Sequence, residues 1–130
     1  MTIVSVDIGL VSASDAIVGF YREVLALETL EPRVFPDGTV HRLALNGGAL
    51  KVMVPTTTPK DSPRTDRFWD RTGLRYITIW LDDLDAIIER WIAQGGTVAL
   101  GPITIRAGVR TALLVDPDGN TVEAMHNAGG

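Results

Sequence analysis

The chain has no cysteine among its 130 residues and only two histidines, His41 and His126. The first absence excludes a disulfide framework, a thiol nucleophile and a cysteine-ligated zinc. Basic residues are also in deficit: 12 Lys and Arg against 16 Asp and Glu, a formal charge of −4. A nucleic-acid binder shows a basic patch or stripe, so no nucleic-acid partner is expected. No apolar run reaches the roughly 18 residues of a membrane helix, so no membrane partner is expected either. The opening MTIVSVDIG has neither the basic start nor the long apolar stretch of a secretory signal, and the expected location is cytoplasmic. Aromatic residues make up only 6%, which makes the position of each one informative. What is present, 45% hydrophobic and 22% charged residues, is an ordinary globular balance in a length that suits one domain, 1–130.

The chain also repeats itself. DAIVGFYREVLALETLEP (15–32) lies without a gap over DAIIERWIAQGGTVALGP (85–102), an offset of 70 (85 − 15). Asp, Ala, Ile, a later Leu and the closing Pro coincide. The turn formers Asn46-Gly47-Gly48 and Asp118-Gly119-Asn120 each lead into a similar strand pattern, ALKVMV and TVEAMH. That alignment sets Lys51 against Glu123 and Met53 against Met125.

Each copy reads as a strand, a helix and three more strands. The first helix is predicted from Ser14 or Asp15 to about Leu25, with Ile17, Phe20, Tyr21, Val24 and Leu25 on one face. The second is predicted from near Asp85 to the C-cap signal Gly95-Gly96, with Ile87, Ile88, Trp91 and Ile92 on one face. Strands are predicted at about 3–10, 28–35, 40–45, 49–55, 75–81, 97–105, 110–115 and 121–126. The fold class is α+β, with βαβββ repeats at about 1–55 and 74–126 and a connecting loop at about 56–73.

The segments DIGLV, GFYREVLALE, LKVMVP, LRYITIWLDDLDA, AQGG and DPDGNTVEAM together span nearly the whole chain. In them the chain resembles the vicinal oxygen chelate superfamily of glyoxalase I, extradiol dioxygenases, fosfomycin-modifying enzymes and bleomycin resistance proteins. The resemblance implies a cup-shaped, barrel-like mixed sheet with a helix behind each half, a homodimer, and four inward strand positions that often hold a divalent metal. The FYREVLALE and DPDGN-x-x-E pieces are more specific for this fold than for any one activity. Counted from DPDGN, Glu123 matches the last ligand position; Tyr76 matches the third and Lys51 the second. For the first position the ungapped repeat points to Val6. Strand phase points to Asp7, because Val4, Val6, Ile8 and Leu10 form the apolar face expected under the helix. Asp7 is the residue adopted.

A quartet of Asp7, Lys51, Tyr76 and Glu123 is poor in metal donors, since a protonated lysine has no lone pair to give and neither histidine occupies a ligand position. No metal and no other cofactor is expected. Because the resemblance implies that equivalent strands come together, Lys51 and Glu123 are expected either to approach one another as the polar floor of a ligand site or to line a solvated groove unpaired. Alternation puts Tyr76, Thr78 and Trp80 on the cup face. The connecting loop carries Phe68-Trp69 in a charged stretch (Lys60, Asp61, Arg64, Asp66, Arg67, Asp70, Arg71), which reads either as a ligand lid with a solvated rim or as packing against the core or a second subunit. Phe35 lines the cup mouth or packs; Met53 fills or adapts to the ligand. His41, at the start of a central strand, is either a ligand contact or a surface residue.

Three functions fit the resemblance. The one adopted is a metal-free protein that binds and sequesters an aromatic or polycyclic natural product, giving antibiotic self-resistance, with Asp7, Phe35, Lys51, Met53, Phe68, Trp69, Tyr76, Trp80 and Glu123 around the ligand and no catalytic residue. Bleomycin itself is cationic and would favour a strongly acidic groove, for which a net charge of −4 is no strong argument; a flatter, more neutral polycycle suits the expected apolar cup better. The alternatives are a metal-independent lyase or isomerase using Asp7 or Glu123 as base with Lys51 or Tyr76 as the polarising group, and a metal-dependent glyoxalase or dioxygenase.

Overall fold

Both predicted helices form, and in each repeat the helix follows one strand and precedes three. The computed structural model describes residues 2–62 and 67–129; Arg64 and Asp66 of the predicted rim lie outside them. The chain divides into two units, Met1–Asp61 and Ser62–Gly130, at a boundary inside the predicted connecting loop.

The first unit contains β1 (Ile8–Val11), α1 (Ala16–Leu25), β2 (Thr29–Phe35), β3 (Gly38–Leu45) and β4 (Gly48–Pro55). Its sheet order is β1-β4-β3-β2, with β1 parallel to β4 and the other neighbours antiparallel. The second unit repeats this with β5 (Tyr76–Trp80), α2 (Leu84–Ala93), β6 (Thr97–Arg106), β7 (Val109–Val115) and β8 (Thr121–Asn127), in the order β5-β8-β7-β6. The class is α+β, built as two mixed four-stranded sheets, neither of which closes into a barrel.

In the first unit the apolar stripe of α1 is buried as predicted at Ile17, Phe20, Tyr21 and Val24, and Leu43, Leu50 and Val52 of the sheet are buried as well. In the second, Ile87 and Trp91 are buried with Ala112, Leu114, Val122 and Ala124. Full burial of each large apolar side chain contributes about 1.5–3 kcal/mol. Ile92, predicted on that stripe, is 56% exposed. The helix starts one residue earlier than Asp85, capped by Asp83, whose Oδ1 accepts the Ala86 N–H at 3.1 Å. Leu84 thereby joins Ile87 and Trp91 at helical spacing on the buried face of the helix.

β1 is shorter than the predicted 3–10, and the expected burial of Val4 and Val6 under α1 does not occur: they are 98% and 64% exposed. Ile8 stands opposite Leu50, so only Gly48 and Ala49 of β4 remain to pair with earlier residues. The Ala49 N–H is taken by the Asp7 side chain at 2.9 Å instead, and the ladder stops there.

The DPDGN motif is a self-contained turn. Buried Asp116 accepts the backbone N–H groups of Asp118 and Asn120 through Oδ1 and the Asn120 side-chain amide through Oδ2, each at 2.9 Å. Gly119, at φ 89°, completes it and launches β8 with a fixed register. Asp85 and Arg110 tie α2 to β7 through two 3.1 Å hydrogen bonds. Hydrogen bonding to Arg110, then its charge, holds the Asp85 carboxyl below its ordinary value.

Candidate functional site

The ladders place the sequence-selected residues in rows on the sheet face opposite each helix. In the second unit one row reads Thr78, Glu123, Leu113, Leu100 across β5, β8, β7 and β6, and the next reads Trp80, Met125, Thr111, Ile103. Tyr76 and Thr121 begin a third. Met125, Thr111 and Leu113 are buried and form a floor, while Tyr76 (49%), Trp80 (54%), Leu100 and Ile103 stay exposed above it. With strands roughly 4.8 Å apart, each row spans about 14 Å, enough for a fused-ring system.

Glu123 sits half-buried at the centre of this face, and its Oε1 accepts the Thr78 hydroxyl at 2.8 Å. Beside the same face, a single 3₁₀ turn at Phe68–Asp70 presents the aromatic pair of the connecting loop. Phe68 packs on Tyr76 with ring centroids 4.5 Å apart and meets Trp69 edge-on at 4.9 Å. Trp69 is 57% exposed, with the Arg67 guanidinium 5.5 Å from its ring centre. The apolar partner that Phe68 required is therefore Tyr76, and three aromatic residues form one continuous cluster with Trp69 open to solvent.

The first unit has the same register and different chemistry. Its rows read Gly9, Lys51, Arg42, Leu30 and Val11, Met53, Val40, Arg33. Lys51 and Glu123 each have a partner inside their own unit. Lys51 Nζ lies 3.7 Å from Asp7 Oδ2, and the other Asp7 oxygen holds the Ala49 N–H. Both side chains are more than two-fifths exposed, so the ion pair contributes at most about 1 kcal/mol. One step beyond the ladder sets Asp7 opposite Ala49, as Tyr76 stands opposite Thr121, so register equates Tyr76 with Asp7 and not with Val6. Phe35, half-exposed at the end of β2, and half-buried Met53 lie on this face.

Both histidines are elsewhere. His41 pairs with buried Val52 on the helix side of its sheet, where it borders a depression of about 390 Å³ with Asp15, Arg22 and Thr29. His126 Nδ1 lies 2.8 Å from the Leu81 carbonyl oxygen, a bond that fixes the end of β8 to the strand beside it.

The four metal-equivalent positions do not fit a divalent metal. Lys51 brings a cation, one Asp7 oxygen is spent on a backbone N–H, and Glu123 is paired with a hydroxyl. Among the described residues no group of three or more His, Asp or Glu side chains is placed to hold an ion.

Arg33, Arg42, Leu100, Ile103 and Leu113 were not singled out in the sequence. Strand alternation assigns each to a face, but only the ladder register shows which residue it stands beside.

Comparison with solved structures finds the same fold repeatedly. A glyoxalase family protein from Bacillus cereus superposes with a TM-score of 0.82 at 13% identity, covering 99% of this chain and 97% of the other. A glyoxalase family protein from Enterococcus faecalis gives 0.69 at 22% identity, with 95% and 96% covered. TnmS3, an antibiotic binding protein from Streptomyces sp. CB03234, gives 0.68 at 23% identity, with 98% and 96% covered. At these identities the likeness establishes the fold alone. No curated protein matches the chain. Residues 10–124 match the family model, and the chain belongs to the Glyoxalase/Bleomycin resistance protein/Dioxygenase superfamily.

Proposed function

We propose that the protein is a metal-free, cytoplasmic, antibiotic-binding member of this superfamily that sequesters an aromatic or polycyclic natural product unchanged and so confers resistance. The observation that carries this reading is the second unit's face, where exposed Tyr76 and Trp80 stand over a buried apolar floor with Phe68 and Trp69 alongside. Small-molecule sites are mostly apolar with a few placed polar groups, and here those groups are Glu123 and Thr78. The fold shared with TnmS3 supports the reading. Asp7, Lys51, Met53 and Phe35 supply a second, more polar contact surface on the first unit's face.

The working form in this reading is a homodimer. Exposed Ile3, Val4, Val6 and Val34 supply apolar surface for a second copy to cover. Light scattering at micromolar concentration should give twice the 14.0 kDa of one chain, and a monomer mass refutes the dimer.

Binding is tested by titrating a panel of fused-ring antibiotics while following tryptophan fluorescence, then recovering the ligand for mass spectrometry. Saturable quenching with an unaltered ligand mass is the expected result. A chemically changed product makes the protein an enzyme and overturns sequestration.

A further inference from the structure

We propose that the second unit's face selects a flat aromatic ligand bearing one protonated amine, with the ammonium held by Glu123. This rests on the aromatic-face reading above and adds the charge of the ligand to it. Glu123 lies in the row between Tyr76 and Trp80, so a ring system stacked on those two side chains covers the carboxylate. Its hydrogen-bond partner is a neutral hydroxyl, that of Thr78, and among the described residues it is in no ion pair. No Lys, Arg or His stands at any position of the two rows through Glu123 and Trp80.

A carboxylate covered by an apolar ring loses its water and gains nothing in exchange. Burying an unpaired charge costs more than aromatic stacking returns. A neutral polycycle, the ligand expected from the sequence, therefore leaves this site in deficit. A carboxylate has about four acceptor sites, of which Thr78 fills one, and an ammonium brings three donors and the missing charge. The exposed faces of Trp80 and Tyr76 favour a cation nearby as well. The first unit's face offers no such place. Its carboxylate, Asp7, is already paired with Lys51, and Arg33 and Arg42 repel a cation.

The experiment uses three anthracene probes that share one ring system: aminomethyl-anthracene, hydroxymethyl-anthracene and anthracene carboxylate. Binding to the full chain is read by probe fluorescence polarisation at pH 7. The amine should bind about tenfold or more tighter than the alcohol, the gain typical of a hydrogen bond to a charged group. The carboxylate should bind weakest. Raising the salt concentration should narrow the amine preference in the unmodified protein. Glu123→Gln, with its fold checked by circular dichroism, should bring the ratio of amine to alcohol affinity close to one. An alcohol that binds as tightly as the amine overturns this proposal and leaves the aromatic face standing. If neither the amine nor the alcohol binds, both readings fall.

Discussion

Replacing Trp80 with alanine tests the aromatic face directly, and the size of the effect follows from its exposure. Trp80 is 54% exposed. A tryptophan presents on the order of 250 Å² at full exposure, so roughly 135 Å² of this one is open, and a ligand stacked on one ring face covers about half of that. At about 25 cal/mol per Å², roughly 70 Å² contributes about 1.7 kcal/mol. Aromatic stacking geometry adds about 0.5–1.5 kcal/mol. No cavity penalty belongs in the sum, because the site opens to water and refills with it. The total of about 2–3 kcal/mol corresponds to an affinity loss of roughly 30- to 150-fold. Because the substitution removes a fluorophore, the assay is calorimetry or polarisation of the ligand's own fluorescence. Trp69→Ala, at the open end of the loop cluster, should cost less, since Phe68 and Tyr76 keep their contact without it. If both variants bind like the unmodified protein, ligand recognition does not use this face.

Gly96→Ala should destabilise the fold by about 2–4 kcal/mol, because a Cβ there collides with the indole of buried Trp91 and threatens its 3.0 Å bond to the Val115 carbonyl. Chemical denaturation checks this, and an unchanged midpoint refutes it. Asp85→Asn should lower the thermal midpoint at pH 7. The hydrogen bonds and charge of Arg110 hold the folded carboxyl below its ordinary value, so its stabilising contribution is present above that ordinary value and disappears as pH falls through the depressed folded one. The difference between variant and parent should shrink in acid, and a difference that grows sinks the assignment. Protein purified without chelator should carry no stoichiometric transition metal by elemental analysis, given the cation at Lys51. One equivalent per chain, lost on chelation, refutes the metal-free reading.

Most of the architecture was legible because the apolar periods are strong and the turns carry Gly, Asn or Asp. Seven of the eight strands lie within two residues of their predicted ends, and β1 is the exception. Its sequence alternates well enough for a longer strand, but strand length is set by the partner, and β4 begins only at Gly48. The ambiguity between Val6 and Asp7 has a related cause. An ungapped repeat carries one offset, whereas the ladders equate Tyr76 with Asp7 (76 − 7 = 69), Leu113 with Arg42 (113 − 42 = 71) and Glu123 with Lys51 (123 − 51 = 72). The buried pair Trp91 and Tyr21 sits at 70 (91 − 21). Connections between elements gain or lose single residues, so an offset taken from the helices misplaces the first strand by one. In a strand, one residue is the difference between the two faces.

The partners of the polar residues were not legible, and it is they that separate the two halves chemically. Like positions carry Gly9 and Thr78, Val11 and Trp80, Arg42 and Leu113, Arg33 and Ile103. Asp7 reaches Lys51 because its strand ends beside Ala49, freeing the side chain to cap the ladder and pair at once. Tyr76 cannot do the same for Glu123, and Thr78 offers only a hydroxyl. One half thus neutralises its own charge beneath a basic face. The other keeps a carboxylate beneath an aromatic one. Duplication supplied a common backbone register, and the substitutions on it leave the carboxylate of one face in an ion pair and that of the other, among the described residues, in none.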